Sequence, residues 1–376
     1  MLMRAAVLHD QGRPAPYTDS RPLVIEQVTL SEPGPGEVLI KVFAAGICHS
    51  DLSAIAGNRP RPLPVVGGHE AVGVVAELGP NVQGFALGDH VVTVFVAGCG
   101  QCVFCHKGQP NLCEASWRAR TDGTLLGGHR RLGLRGGRLH HWSGVSAFAD
   151  YAVVASGSLV RISPEIDMLD AATLGCAVLT GFGAVINSAG VSPGQTVAII
   201  GLGGVGLSAV MGASAAGASR IVAVDLARSK LKLATELGAT DIVNASESSD
   251  VGAAVFEITG GVDVAFDMAG TPGTVASAYA MARRGGTIVV AGLPSPDATF
   301  ALPIANHVAD EKRLVGSYMG GSSPQRDIPV LIALHKAGRL PLSRLRSSVI
   351  ALEDINDGLE RMRLGLSVRD IVGMTA

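Results

Sequence analysis

Apolar and polar positions follow two different rhythms along the chain. Before about residue 100 the apolar runs are short and Val-rich, at 37–44, 72–78 and 90–96. Pro33-Gly34-Pro35-Gly36, Gly79-Pro80-Asn81 and Gly88-Asp89 fall between them, so this part reads as strands joined by turns. Residues 1–8 read as a first strand, because their apolar run is too short for a signal peptide. From about residue 178 the rhythm changes. Apolar runs near 196–200, 220–224, 263–267 and 287–291 alternate with helix-compatible stretches near 204–217, 227–237 and 273–284. That alternation predicts an α/β fold with a parallel, doubly wound sheet. Further helices are expected over 328–337 and 352–364. Residues 114–150, where Gly, Arg and His are prominent, are expected to be irregular.

The first run of the second part ends in Gly201-Leu202-Gly203-Gly204-Val205-Gly206, a G-x-G-x-x-G between a strand and a helix. Gly201 permits a tight turn, Gly203 lets the backbone approach a pyrophosphate, and Gly206 lets the helix pack against the strand. The helix N-terminus then offers free N–H groups to phosphate oxygens. With 49 glycines in the chain, the motif alone is weak. Its context adds Asp225, which ends the next apolar run 19 residues after Gly206. An acid at this distance binds the ribose 2′-OH and repels a 2′-phosphate, which favours NAD over NADP. Arg228 and Lys230, close by, work against that preference.

A length of 376 residues predicts two domains, and 47% apolar residues with 16% charged suit a compact globular enzyme. The formal net charge of −2 gives no global field for nucleic acid or an anionic membrane. No stretch is expected to reach the ~18 uncharged apolar residues of a membrane span. A cytoplasmic location is the resulting expectation. Of six cysteines, four cluster as Cys99-x2-Cys102-x2-Cys105-x7-Cys113. Such a set wraps one tetrahedral zinc, and four thiolates leave no open position, so its role is structural. An iron–sulfur cluster is the competing soft-metal reading, against which the spacing speaks. A DNA-binding zinc finger is disfavoured because no basic recognition helix follows.

Cys48 and Cys176 remain, with His69-Glu70 between them in sequence. Two Cys and one His make the three-ligand, open-position zinc set of catalytic sites, although spacing cannot assemble residues so far apart. The chain resembles the zinc-dependent alcohol dehydrogenases of the medium-chain dehydrogenase/reductase superfamily. The resemblance rests on Gly46-Ile47-Cys48-His49-Ser50-Asp51, Gly68-His69-Glu70, the four-Cys cluster, Cys176 with Thr180-Gly181, the glycine turn with Asp225, and Arg369. It implies a GroES-like β-rich catalytic domain, 1–177 and 321–376, with a Rossmann NAD-binding domain, 178–320, inserted. It implies that Cys48, His69 and Cys176 hold a catalytic zinc, with Glu70 behind the metal and Asp51 orienting His69. Ser50 would take the proton of the substrate alcohol. His49 and Arg369 would contact the pyrophosphate, Thr180 and Val205 would back the nicotinamide, and Lys230 would help Asp225 at the ribose. The implied chemistry is zinc-assisted alkoxide formation and hydride transfer to NAD.

Two positions depart from the family pattern. Ser53 stands where many members carry a relay His, which leaves water or cofactor hydroxyls to finish the relay. His49 replaces a frequent Arg. Family position places Arg59, Phe95, Trp117, Arg118, Trp142, Leu293 and Tyr318 along the substrate channel, whose mostly apolar walls suit a bulky alcohol or aldehyde. A thiol-dependent (glutathione or mycothiol) formaldehyde dehydrogenase is the alternative, weakened by Trp117 where that branch usually carries Arg. Arg118, Arg120, Arg130, Arg131, Arg135 and Arg138 crowd one loop, either to meet an anionic substrate group or, more simply, as a solvated or subunit-contact loop. The long 114–150 segment resembles family members that are homodimers.

Overall fold

A computed structural model describes residues 1–374. The chain divides into two compact units. One comprises Met1–Cys176, Ser323–Ile332 and the C-terminal segment from Leu342; the other comprises Ala177–Ser322 and Ala333–Pro341.

The first unit is built on two sheets. The larger has the strand order Leu159–Arg161, His90–Thr93, Ala71–Leu78, Glu37–Gly46, Arg369–Gly373, Arg346–Ala351, and Tyr151–Ala155 also pairs with Glu37–Gly46. The Val-rich runs of the sequence are these central strands. Their positions are buried almost without interruption, as in Glu37–Gly46, because Ile40, Val42 and Ala45 join one core with Phe148, Ile47 and Ile55. The smaller sheet runs Gly137–Arg138, Leu132–Leu134, Leu23–Leu30, Leu2–Leu8, Val65–Val66, His140–His141. Pairing of the last strand with Glu37–Gly46 sets Ile371 opposite Gly46, and the Ile47 N–H donates to Asp370 O at 3.0 Å. Arg369, far away in sequence, is thereby carried to the end of the strand that leads into Cys48.

The second unit is a six-stranded, fully parallel sheet with the order Asp241–Asn244, Arg220–Asp225, Thr196–Ile200, Val262–Asp267, Ala282–Val290, Arg313–Gly316. Helices Gly204–Ala215, Arg228–Glu236, Val251–Thr259 and Pro272–Met281 connect the strands. The four apolar runs and the three helical stretches expected from the pattern are present. The two outer strands, Asp241–Asn244 and Arg313–Gly316, were not expected; the first buries only Val243 and the second buries no residue, so neither shows a continuous apolar run.

Two expectations fail. Residues 114–150 are not wholly irregular. Glu114–Asp122 is a helix, with an acid in its first turn and Gly123 closing it in the left-handed conformation. The hydropathy expectation also fails. The helical run Met168–Ala189 is 22 residues long, with a mean hydropathy of 1.7 over its 18-residue window, and so is long and apolar enough to cross a membrane. Its Gly, Thr and Ser break the visual run without making it polar. Within the fold 83% of that window is buried, as in the core helix of a globular protein.

Candidate metal centres and dinucleotide site

Cys48 closes the N-terminal end of the helix His49–Ile55, and Asp51 works on both sides of it. Asp51 Oδ2 accepts the Cys48 backbone N–H at 2.9 Å, satisfying a donor at the helix start. Its Oδ1 accepts from His69 Nδ1 at 3.0 Å. With the proton thus on Nδ1, Nε2 is left as a lone-pair donor. The Gly67-Gly68 approach lets the His69 loop pass under Phe148: a Cβ on Gly68, at φ +89°, would stand 2.6 Å from Phe148 N. Cys176 sits in a wide π-helical turn, Leu174–Val178, within the long helical run.

These three segments converge. The Cys48 and Cys176 sulfurs are 4.0 Å apart, and Cys176 Sγ is 3.4 Å from His69 Nε2. Together with a Glu70 oxygen the donor atoms all lie within 4.8 Å of one another, and all four residues are buried. Bonds of ~2.3 Å at tetrahedral angles put ligand atoms ~3.5–3.8 Å apart. The donor chemistry and the spacing both fit one zinc ion. Ser50 Oγ lies 3.3 Å from His69 Nε2, at the edge of the cluster. Arg369, 3% exposed, donates to Ile47 O at 2.8 Å and lies 3.7 Å from the Glu70 carboxylate.

The electrostatics follow from burying two thiols, an imidazole and a guanidinium together. The Cys176 thiol donates to Cys48, which with Arg369 and His69 holds Cys48 well below the ordinary thiol range against the effect of burial. Cys176 is pushed well above that range by the same hydrogen bond and by burial. Burial drags His69 toward its neutral form, but Asp51 and Cys48 together outweigh it and the net shift is upward. The cluster is therefore predisposed to carry negative charge on sulfur beside a buried cation, as a dication requires.

Of the residues expected along the substrate channel, two stand against this cluster. The Phe95 ring meets the His69 ring edge-on with centroids 5.5 Å apart. The Trp142 indole nitrogen is 3.3 Å from His69 Nδ1, a contact between two N–H groups once that nitrogen donates to Asp51. Trp117 is 61% exposed, and Arg59 is fixed through its carbonyl by Gln11 at 3.2 Å. Arg118, Leu293 and Tyr318 are exposed or half-buried. His49 is exposed, with Ser53 Oγ 3.3 Å from its Nδ1.

Two arginines escaped the sequence reading as neighbours of the centre. Arg120, 8% exposed, stacks over Phe95 at 5.8 Å and over Trp117 at 5.5 Å; Arg61 stacks over Trp142 at 5.5 Å. Arg120 lies three residues after Trp117 on a helix, so i,i+3 spacing was the available signal. The other loop arginines are engaged away from the centre: Arg131 with Glu37 at 2.6 Å, Arg135 with Glu26 at 3.0 Å, and Arg130 with Asp122 O at 2.9 Å. Arg138 is exposed on a two-residue strand.

The second cysteine set also closes. Ligand atoms of Cys99, Cys102, Cys105 and Cys113 lie within 4.8 Å of one another, with Cys99 and Cys105 sulfurs 3.9 Å apart. Backbone N–H groups point at sulfur, from Cys99 to Cys113 and from Gln101 to Cys99, each at 3.4 Å. Such donors lower Cys102 to about 6, while burial drives Cys105 up to about 12. This set too fits one tetrahedral ion, with all four positions filled by sulfur.

In the second unit, Thr196–Ile200 delivers Gly201 at φ +88°, and a Cβ on Gly206 would stand 1.8 Å from Gly201 O. A Cβ on Gly203 would meet nothing within 4 Å, so open space lies over the turn where Gly204 and Val205 start the helix. That geometry fits a pyrophosphate. Asp225 ties the turn to its own strand: Oδ2 accepts from Leu202 N at 2.6 Å and Oδ1 from Ala227 N at 2.9 Å. Thr180 is buried in a helix packed so tightly on Gly204–Ala215 that a Cβ on Gly181 would be 2.0 Å from Val205 O. Lys230 is half-buried on the helix after Asp225.

Comparison with known proteins agrees with this geometry. Residues 34–164 match the alcohol dehydrogenase GroES-like domain family, and residues 204–337 match the zinc-binding dehydrogenase family. An S-(hydroxymethyl)glutathione dehydrogenase from Synechocystis sp. is 37% identical, over 99% of this chain and 100% of its own. Benzyl alcohol dehydrogenase from Acinetobacter calcoaceticus has a solved structure that superposes with a TM-score of 0.92 at 32% identity, covering 100% of both chains. A zinc-binding dehydrogenase from Sinorhizobium meliloti, solved with NADP, gives 0.81 at 29% identity, covering 99% of both. The protein belongs to the zinc-dependent medium-chain alcohol dehydrogenase family.

Proposed function

We propose that this dehydrogenase is an NAD-dependent, two-zinc enzyme that interconverts a primary or secondary alcohol with its aldehyde or ketone. The observation that carries the reading is the buried convergence of Cys48, His69 and Cys176 beside the Ser50 hydroxyl. Three protein donors leave a fourth position for substrate oxygen. A zinc ion held by them supplies Lewis acidity toward that oxygen. Ser50 would relay the hydroxyl proton, taking it up as its own passes to water or a cofactor hydroxyl, while Phe95 and Trp142 shield the imidazole and Glu70 with Arg369 balances charge on the buried side of the thiolates. Cys99, Cys102, Cys105 and Cys113 hold the structural ion.

Asp225 favours NAD, since a ribose 2′-OH can donate to a carboxylate and a 2′-phosphate cannot. In this reading 1–177 and 321–376 form the catalytic domain and 178–320 the NAD-binding domain, in a cytoplasmic homodimer. The apolar Phe95 and Trp142, and the kinship with a benzyl alcohol dehydrogenase, support an aromatic or bulky alcohol. The S-(hydroxymethyl)glutathione dehydrogenase relative favours a second reading, oxidation of a formaldehyde–thiol adduct.

Metal analysis and turnover test the proposal. About two zinc ions per chain are expected, about one in Cys176→Ser, with no NADH formed from benzyl or long-chain alcohols by that variant. Wild-type protein that holds zinc at the four-Cys set alone, or none, refutes it. Formaldehyde oxidised only when glutathione or mycothiol is added, with simple alcohols untouched, selects the second reading.

A further inference from the structure

The loop beyond Asp225 carries a charge arrangement that neither zinc chemistry nor the glycine turn uses. Arg228 opens the helix Arg228–Glu236, three residues after Asp225. Its Nη2 lies 2.5 Å from Glu247 Oε1. Glu247 follows the strand Asp241–Asn244, which pairs with Arg220–Asp225 so that Asn244 stands opposite Asp225. Asn244 shapes the turn that presents Glu247. Its Oδ1 accepts from the Ser246 N–H at 3.0 Å and from the Ser246 hydroxyl at 2.7 Å, while its Nδ2 donates to Glu247 Oε1 at 2.7 Å. One carboxylate oxygen is thereby held by donors from two separate elements.

In dinucleotide-binding folds the adenosine ribose lies at the end of this strand. An acid there takes the 2′-OH, and an arginine nearby takes a 2′-phosphate. This chain has both, and on its own Arg228 would draw in the phosphate that Asp225 repels. We propose that Glu247 is a specificity-determining residue for the cofactor: by engaging Arg228 it withholds the cation that would anchor the 2′-phosphate of NADP. Glu247 is a positioning residue, acting through Arg228 and not on the nucleotide. The inference rests on the reading that the glycine turn binds a nicotinamide dinucleotide. Asp225, with both oxygens already accepting backbone N–H groups, discriminates directly; Glu247 discriminates by removing the competing attraction. Lys230 is the other cation of this helix turn, and it stays in every variant below, so its contribution cancels in the comparison.

The pair is solvent-exposed, with side-chain exposures of 79% and 52%, so its effect is about two- to fivefold in affinity. NADH and NADPH are titrated by fluorescence against the zinc-loaded full chain, as wild type, Glu247→Gln, Arg228→Gln and the double variant. In Glu247→Gln the NADPH Kd is expected to fall by about two- to fivefold while the NADH Kd holds. In the double variant the gain disappears. The same factor is expected in an Asp225→Ser background, where NADPH binds strongly enough to measure even if the wild type holds it poorly. An unchanged NADPH Kd in Glu247→Gln, or an equal gain in the double variant, overturns the inference alone. Failure of the wild type to bind either nucleotide overturns the dinucleotide reading, and this inference with it.

Discussion

Replacing Asp51 by Asn tests whether the first metal centre is organised as its hydrogen bonds imply. The carboxylate is 1% exposed and both oxygens are committed, one to the Cys48 N–H at 2.9 Å and one to His69 Nδ1 at 3.0 Å. An amide has one acceptor oxygen and one NH2, so it cannot serve both donors. If the oxygen stays on His69, the NH2 faces the Cys48 N–H and the helix start loses its cap, at about 1 kcal/mol. If it stays on Cys48, the NH2 donates to Nδ1, and the imidazole proton moves to Nε2, the nitrogen that faces both sulfurs. Protonated there, Nε2 can no longer ligate a metal. In either case a charge-assisted bond to the imidazole is gone, which costs about 1.5–3 kcal/mol. The first zinc should then bind about 10- to 100-fold more weakly, the range seen when a ligand's outer partner is removed.

Competition with a chromophoric chelator measures this effect directly, and the four-Cys site provides an internal standard. Asp51→Asn should release one zinc at about 10- to 100-fold lower chelator than wild type, and the second zinc at the wild-type point. Activity should fall with the first release and return when zinc is restored. A variant that holds both ions as tightly as wild type would show that Asp51 does not orient the ligand. A variant that loses the four-Cys ion as well would show that the substitution acts by general unfolding.

Three further outcomes follow from other parts of the molecule. His141 is 2% exposed, and burial together with Arg130, Arg131 and His140 depresses it to about 3, so the folded chain favours its neutral form. Stability from this residue is present above the unfolded-state value of ~6.5 and is lost as pH falls toward 3. His141→Gln should therefore lose about 2 kcal/mol less than wild type between pH 7 and pH 5, read by urea melts, and equal slopes would refute the burial argument. Gly206→Ala puts a Cβ 1.8 Å from Gly201 O and should abolish NADH binding, measured by fluorescence, while both zinc ions remain; retained NADH affinity would show that the turn can yield. Cys113→Ser should lower zinc content from about two to about one and lower the melting temperature; unchanged metal content would exclude Cys113, 1% exposed, as a ligand.

What could be read in advance was decided by how strongly burial marks a segment. The central strands were legible because they are covered on both faces: Thr196–Ile200 has four buried residues of five, and so reads as a continuous apolar run. The sheet edges Asp241–Asn244 and Arg313–Gly316 bury one residue and none, and backbone pairing to one neighbour is what makes them strands. The helix Glu114–Asp122 was missed for the opposite reason. What it buries is Ser116, Ala119 and Arg120, and no periodicity of apolar residues can announce a helix whose buried face is polar.

The same distinction applies at the metal centre. Cys48, His69 and Cys176 could be singled out in advance because few residue types can bind zinc, and the structure brings them together. Their surroundings were not: Arg120 and Arg61 are buried or half-buried through cation–π stacking on Phe95, Trp117 and Trp142, a contact that any arginine in a polar loop could make or not make. Asp51 lies between these cases. Resemblance predicts its bond to His69, whereas its second bond, to the Cys48 N–H, follows from helix-capping geometry alone. One carboxylate thus fixes the backbone beside one thiol of the cluster and the tautomer of its imidazole. Their relative placement depends on a single side chain, and a change of one atom in that side chain is therefore expected to disturb the metal more than the fold.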